Sequence, residues 1–164
     1  MLHNSTVARF IQAVIARLGH IAYVIAPPLL RVALAVPFFK SGLTKWDGFL
    51  SLSPAAQYLF ESEFKLHLFG QLYAMPLPDV MAFADGVGEI VLPILLVAGL
   101  ATRFSALGLL IMTGVIELVV PDGWANFHLP WASMAVAIIA LGAGPLSLDH
   151  LISRWVQPKN AAST

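Results

Sequence analysis

Apolar residues fill four long stretches of the chain, and most polar residues gather between them. The stretches run from about Ile21 to Ser41, Asp79 to Leu100, Phe104 to Val120 and Leu129 to Leu141. A helix rising about 1.5 Å per residue needs about 20 residues to cross a hydrocarbon layer about 30 Å thick, so the pattern predicts four transmembrane helices, the fourth with the shortest apolar core. Before the first span, STVARFIQAVIARLG (Ser5 to Gly19) carries apolar residues at helical spacing with Arg9 and Arg17 on the polar side, which predicts an interfacial amphipathic helix. It does not read as a cleaved signal, because the apolar run that follows is long, contains Arg31 and lacks a small-residue cleavage site.

The connections carry their own signals. Between Gly42 and Pro78 the amphipathic stretch PAAQYLFESEFKLHLFGQ (Pro54 to Gln71) predicts a helix along the membrane surface. Asp79 is placed to cap the second span, and the very short turn at Ala101-Thr102-Arg103 makes the second and third spans antiparallel neighbours. PDGWANFH (Pro121 to His128) reads as a loop turning at Asp122-Gly123, and GPLSLDHLISRW (Gly144 to Trp155) as a second surface helix followed by a disordered end. Pro37 and Pro93 predict kinks, the second freeing a carbonyl beside Glu89. The expected architecture is an all-α integral membrane four-helix bundle with flanking amphipathic surface helices. It divides into an N-terminal amphipathic segment (1–19), the bundle (20–143) with a long outer loop near 46–78, and a cytoplasmic tail (144–164).

Composition sharpens this picture. Of 164 residues 59% are hydrophobic and 11% charged, and nine basic residues balance nine acidic ones. That leaves no separate soluble catalytic module and no bulk field that would recruit nucleic acid. The absence of cysteine excludes disulfides, thiol redox chemistry, iron–sulfur ligation and thiolate zinc sites. Basic residues are disfavoured in translocated loops, so Arg9, Arg17, Arg103, Arg154 and Lys159 predict that both termini are cytoplasmic. Trp46, Trp124 and Trp131 then mark the outer interface and Trp155 the inner one.

Charges inside the spans need partners, because a lone charge at the bilayer centre costs from about 2.5 to over 10 kcal/mol. Counted from the outer boundary, Arg31 lies about nine residues below Lys40 and Glu89 about ten below Asp79, which predicts an Arg31–Glu89 ion pair between the first two spans. Asp85 shares the face of Glu89 one turn nearer the outside, and Glu117 sits in the outer turn of the third span. Lys45 returns to nearly the face of Arg31, and Lys40 reaches the same region by snorkelling. With Asn126 and His128 these residues outline a polar cavity narrowing from the outer surface to the ion pair. Two readings stand side by side: such charges fix helix register and topology, or they mark a proton path or a headgroup site. No metal or haem is expected, since His20 and His128 lie at opposite faces and His3, His67 and His150 lie outside the spans. Gly86, Gly88, Gly99, Gly108 and Gly114 read as close-packing sites between helices.

Several segments resemble the DoxX family. RVALAVPFFKSGLTKW (Arg31 to Trp46) is similar to its pattern of an arginine, an aromatic pair, then glycine and lysine. GVGEIVLPILLVAGLATRFSALGL (Gly86 to Leu109) resembles its glutamate-bearing second helix, while NFHLPWA (Asn126 to Ala132) and GPLSLDHLI (Gly144 to Ile152) resemble the start of its fourth helix and its tail. The resemblance implies a small multi-pass protein of a bacterial inner membrane, of the kind described as subunits of quinone-linked redox systems and as membrane anchors of oxidative-stress complexes. Arg31, Lys45, Glu89 and His128 fall on matching motif positions. The first expectation is therefore a redox subunit binding a quinone or quinol headgroup, with Glu89 or Glu117 as proton acceptor. No residue here carries electrons, so a partner redox protein or bound cofactor must supply them. The alternatives are a non-catalytic anchor or assembly subunit that docks a partner or self-associates, and a small-solute permease.

Overall fold

A computed structural model describes residues 2–156. Lys159 and the end that follows it lie outside the described residues. Among the described residues six α-helices make up most of the length: α1 (Leu2–Leu43), α2 (Pro54–Tyr58), α3 (Pro78–Ala98), α4 (Thr102–Val119), α5 (Leu129–Leu141) and α6 (Leu148–Val156). Four are long and apolar enough to cross a membrane, once the wound segment Pro121–His128 is counted with α5. They form one bundle in which α1 packs on α3 and α5, α3 on α4, and α4 on α5. The core is small: Leu34, Ala35 and Phe38 of α1 meet Leu96, Ala106, Leu109 and Ile138. Most other large apolar side chains face outward, including Leu29, Val32, Ile94 and Ile111. An apolar exterior of this extent is stable only in lipid.

α1 is one continuous helix where the sequence suggests a surface segment followed by a span. Pro27 and Pro28 are therefore interior, not near its start. The bundle begins to bury α1 only at about Pro27, so the first half of the helix projects beyond it. We call this the tail end of the bundle, since α6 lies there too, and the opposite one the loop end.

The loop end departs most from expectation. Pro54–Gln71 is not one surface helix. Strands β1 (Trp46–Gly48) and β2 (Ser51–Leu52) pair, α2 follows and runs into a π-turn over Leu59–Glu63, and strands β3 (Lys65–Leu68) and β4 (Gln71–Ala74) form a second hairpin. Phe69 and Gly70 both have positive φ, the conformation of a two-residue hairpin turn, so the chain reverses where a helix would continue. Ser53 caps α2 through its hydroxyl, and the His67 ring nitrogen meets the Leu118 carbonyl at 3.1 Å, tying β3 to the end of α4. Phe60 and Met75 pack on Ala82, giving the loop its own small core against the first turns of α3.

The helix ends also differ in detail. Asp79 lies in the first turn of α3 without capping it, since Leu77 holds the cap position and makes no side-chain cap bond. PDGWANFH is not an open loop but a 3-10 turn (Pro121–Gly123) continuing into a π-turn (Trp124–His128). The tail helix falls where the sequence places it: the Ser147 hydroxyl accepts the His150 amide at its start.

Candidate functional site

α1 and α3 approach closely at the loop end because a glycine on each side, Gly42 and Gly86, leaves room for a larger residue of the other. A Cβ on Gly42 would lie 2.9 Å from the Glu89 Cβ, and one on Gly86 would lie 2.7 Å from the Trp46 ring. With backbones this near, the Lys45 side chain, just past the end of α1, lies along α3. Its Nζ donates to the Asp85 carboxylate at 2.7 Å and to the Glu89 carboxylate at 2.8 Å. Lys45 and Glu89 are buried, while Asp85 is partly open. A fourth polar group, the Ser41 hydroxyl, stands 3.4 Å from Lys45 Nζ. Burial pulls the Lys45 ammonium down, but the Asp85 and Glu89 carboxylates more than reverse this and hold its proton above the ordinary lysine range.

This cluster forms one wall of a cavity of about 370 Å³ between α1, α3, α4 and the loop. Its remaining walls are apolar and adaptable: Phe38, Trp131, Phe60 and Phe64 supply rings, and Met75, Met81 and Met112 supply thioethers. Phe38 and Trp131 pack with ring centroids 5.1 Å apart, as do Phe60 and Phe64, and Lys45 Nζ lies 6.0 Å from the Phe60 centroid. Concave, mostly apolar walls with a few convergent polar groups are what a small ring-bearing ligand requires.

The expected Arg31–Glu89 pair is absent. Glu89 is level with Gly42 of α1, and Arg31 lies eleven residues earlier, about 16 Å along the axis. The depth count fails because α3 rises several turns past the end of α1, where its first turns pack on the loop. Arg31 belongs to the tail end. Its guanidinium donates to the carbonyls of Val97 and Leu146, one near the end of α3 and one in the segment before α6. The last carbonyls of a helix lack intrahelical partners and attract cations, so Arg31 caps α3 and holds the tail. Gly99, at φ +69°, ends α3, and a Cβ there would collide with the guanidinium.

The other expected site residues divide. Glu117 and His128 pair with each other, Oε2 to Nδ1 at 2.6 Å, and His128 is buried over Gly123 with its ring 5.4 Å from that of Trp131. Neither lines the cavity, although Trp131 does. Lys40 and Asn126 are exposed and lie outside it. Among the described residues no group of three metal-ligating side chains converges. The sequence reading missed Ser41 and Gly42, which lie one turn before Lys45 on its own face, and Asp149. The Asp149 carboxylate accepts the amides of Ala101 and Thr102 at 2.8 and 2.9 Å, capping α4 from outside it. Desolvation raises its pKa, but these bonds with the Thr102 and Ala101 amides and the nearby Arg31 charge outweigh it, holding the carboxyl below the ordinary aspartate range. The Gly108 and Gly88 expectations hold: a Cβ on Gly108 would meet Leu92 at 2.8 Å, and one on Gly88 would meet Met112 at 3.1 Å. Gly114 faces open space.

Comparison with known proteins places this geometry in context. A sequence model of the DoxX family matches residues 26–122, more than half of the chain, and takes in α3, α4 and the loop between α1 and α3. An uncharacterized protein of Haemophilus influenzae is 33% identical over 148 residues, an alignment covering 80% of this chain and 86% of that protein. No solved structure matches.

Proposed function

The chain belongs to the DoxX family of membrane proteins, and on that premise we propose that it serves as the small membrane subunit of a quinone-linked redox system, holding a quinone or quinol headgroup in the loop-end cavity. The observation that carries this reading is the joining of a lysine–carboxylate cluster to aromatic and methionine walls in one cavity. A quinone head is a flat apolar ring with polar oxygens at opposite edges. The ring fits between Phe38, Trp131 and Phe60, and an oxygen fits against Lys45 and the carboxylates.

Oxidation of a quinol releases two electrons and two protons. One proton passes from the hydroxyl that reaches the cluster to Glu89 or Asp85, the other leaves from the opposite hydroxyl to water at the open side of the cavity, and Lys45, in place of the expected Arg31, stabilises the carboxylates as acceptors. The chain carries no electron acceptor of its own, so the electrons pass to a partner redox protein docked against the bundle. On this reading the protein resides in a bacterial inner membrane, as its family implies, with the loop end outward and both termini cytoplasmic; the basic residues Arg9, Arg17, Arg103 and Arg154 at the tail end support that orientation.

A second reading has one observation in its favour: Lys45 Nζ is already held by two carboxylates, so the cluster by itself pins α1 to α3. On that reading the chain is a non-catalytic anchor. Glu89→Gln separates the two in the purified complex. Loss of quinone-dependent turnover with the partner still recovered on pull-down supports the redox site. Unchanged turnover with loss of the partner supports the anchor and removes the quinone proposal.

A further inference from the structure

A second concavity, of about 480 Å³, opens at the tail end among α1, the start of α4, the Gly142–Pro145 turn and α6. Three side chains of donor character line it from three separate elements: Tyr23 of α1, Arg103 of α4 and His150 of α6. Arg103 makes no ion pair among the described residues, and neither its guanidinium nor the Tyr23 hydroxyl has a hydrogen-bond partner there. The floor is built to bring the guanidinium close. Gly142 takes φ +80°, and a Cβ on it would stand 3.4 Å from Arg103 Nη2. One acidic group lines the concavity, Asp149, but its carboxylate is already engaged by the two amides at the start of α4 and faces the charge of Arg31.

α6 supplies an independent observation. Its apolar residues Leu148, Leu151, Ile152, Trp155 and Val156 recur at helical spacing and are exposed, Trp155 at 90%. Asp149, His150 and Ser153, from its other side, line the concavity. A helix patterned this way lies in the membrane interface with its apolar face toward the acyl chains. The concavity thus opens at headgroup depth, with an apolar strip beside it. Basic pockets between membrane helices at this depth hold anionic headgroups.

We propose that the tail-end concavity binds the phosphate of an anionic phospholipid. Arg103 is the charged donor, Tyr23 and His150 are lateral donors, and the acyl chains run along Leu151, Ile152 and Trp155. The proposal is independent of the loop-end cavity and of any redox role. It is tested with the full chain in detergent by native mass spectrometry after titration with phosphatidylglycerol or phosphatidylcholine, and by thermal unfolding with phosphatidylglycerol or with inorganic phosphate alone. The expected result is one phosphatidylglycerol retained per chain in preference to phosphatidylcholine. Arg103→Gln lowers that retention about fivefold, and Tyr23→Phe lowers it by a smaller factor with folding intact. Stabilisation by inorganic phosphate equal to that by the lipid would make the ligand a free anion and overturn the lipid assignment. Equal retention of both lipids, or retention of phosphatidylglycerol unchanged in both variants, would remove the site.

Discussion

The two ends of the bundle use buried charge in opposite ways. At the loop end Lys45, Asp85 and Glu89 satisfy one another, side chain to side chain, beside an open volume. At the tail end Arg31 and Asp149 spend their charge on main-chain groups that helix ends leave without partners: Arg31 on carbonyls of Val97 and Leu146, Asp149 on amides of Ala101 and Thr102. A charge bonded to backbone is committed to the fold, because moving it strands a peptide group. A charge bonded to other side chains can exchange partners or protons with a visitor while the helices stay put. Candidate chemistry therefore belongs at the loop end, although Arg31 lies deeper in the sequence-defined span than Lys45.

The sharpest way to break this contrast is Lys45→Met. It leaves two carboxylates facing each other near buried apolar groups, and losing one partner of a buried ion network costs about 3–5 kcal/mol. Thermal unfolding in detergent should show that loss, and adding Glu89→Gln should recover part of it. A single variant as stable as the parent would mean that the cluster is wet and weakly coupled. Next in size is Arg31→Met, which strands two carbonyls at about 1–3 kcal/mol. Unfolding should shift to lower temperature while quinone binding at the loop end, read by fluorescence quenching of the tryptophans, stays as in the parent. Altered binding would join the two ends functionally and undo the distinction. The smallest effect concerns pH. The Asp149 carboxyl is depressed in the folded state, so its contribution to stability is in place above its unfolded value of about 3.9 and is lost as pH falls through the lower folded value. Hydrogen exchange at Ala101 and Thr102 should quicken below that range in the parent and be quick at all pH values in Asp149→Asn.

The spans were legible in the sequence because lipid demands long apolar runs and tolerates little else. α4 begins and ends within two residues of the expected span, and α5 coincides with Leu129 to Leu141. Depth was not legible. Hydropathy marks where a helix is apolar, but Met81 and Ala82 in the first turns of α3 pack on the loop and not on α1, so a count from Asp79 sets Glu89 against the wrong partner. The loop sequence suggests one helix because its first half is truly helical, through α2 and the π-turn, and the positive φ of Phe69 and Gly70 then reverses the chain. Among the site residues, Lys45, Asp85 and Glu89 come together as a group although their partnering was assigned otherwise. Ser41 and Gly42 carried a readable signal in lying one turn before Lys45. Asp149 carried none, since its partners are backbone amides 47 and 48 residues away in the chain.

α1 has a mechanical consequence. Its 42 residues, at 1.5 Å each, make a rod about 63 Å long, roughly twice the thickness of the hydrocarbon layer. The rod is gripped only over its later half, where Gly42 touches Glu89 and Pro27 lies against Gly144. For as long as it stays continuous through Pro27 and Pro28, it is a lever with its fulcrum in the bundle. Its free arm, with Phe10, Ile11 and Leu18 exposed along it, therefore takes its direction from the bundle, and any change of angle where α1 meets α3 is carried along the rod to the opposite membrane face.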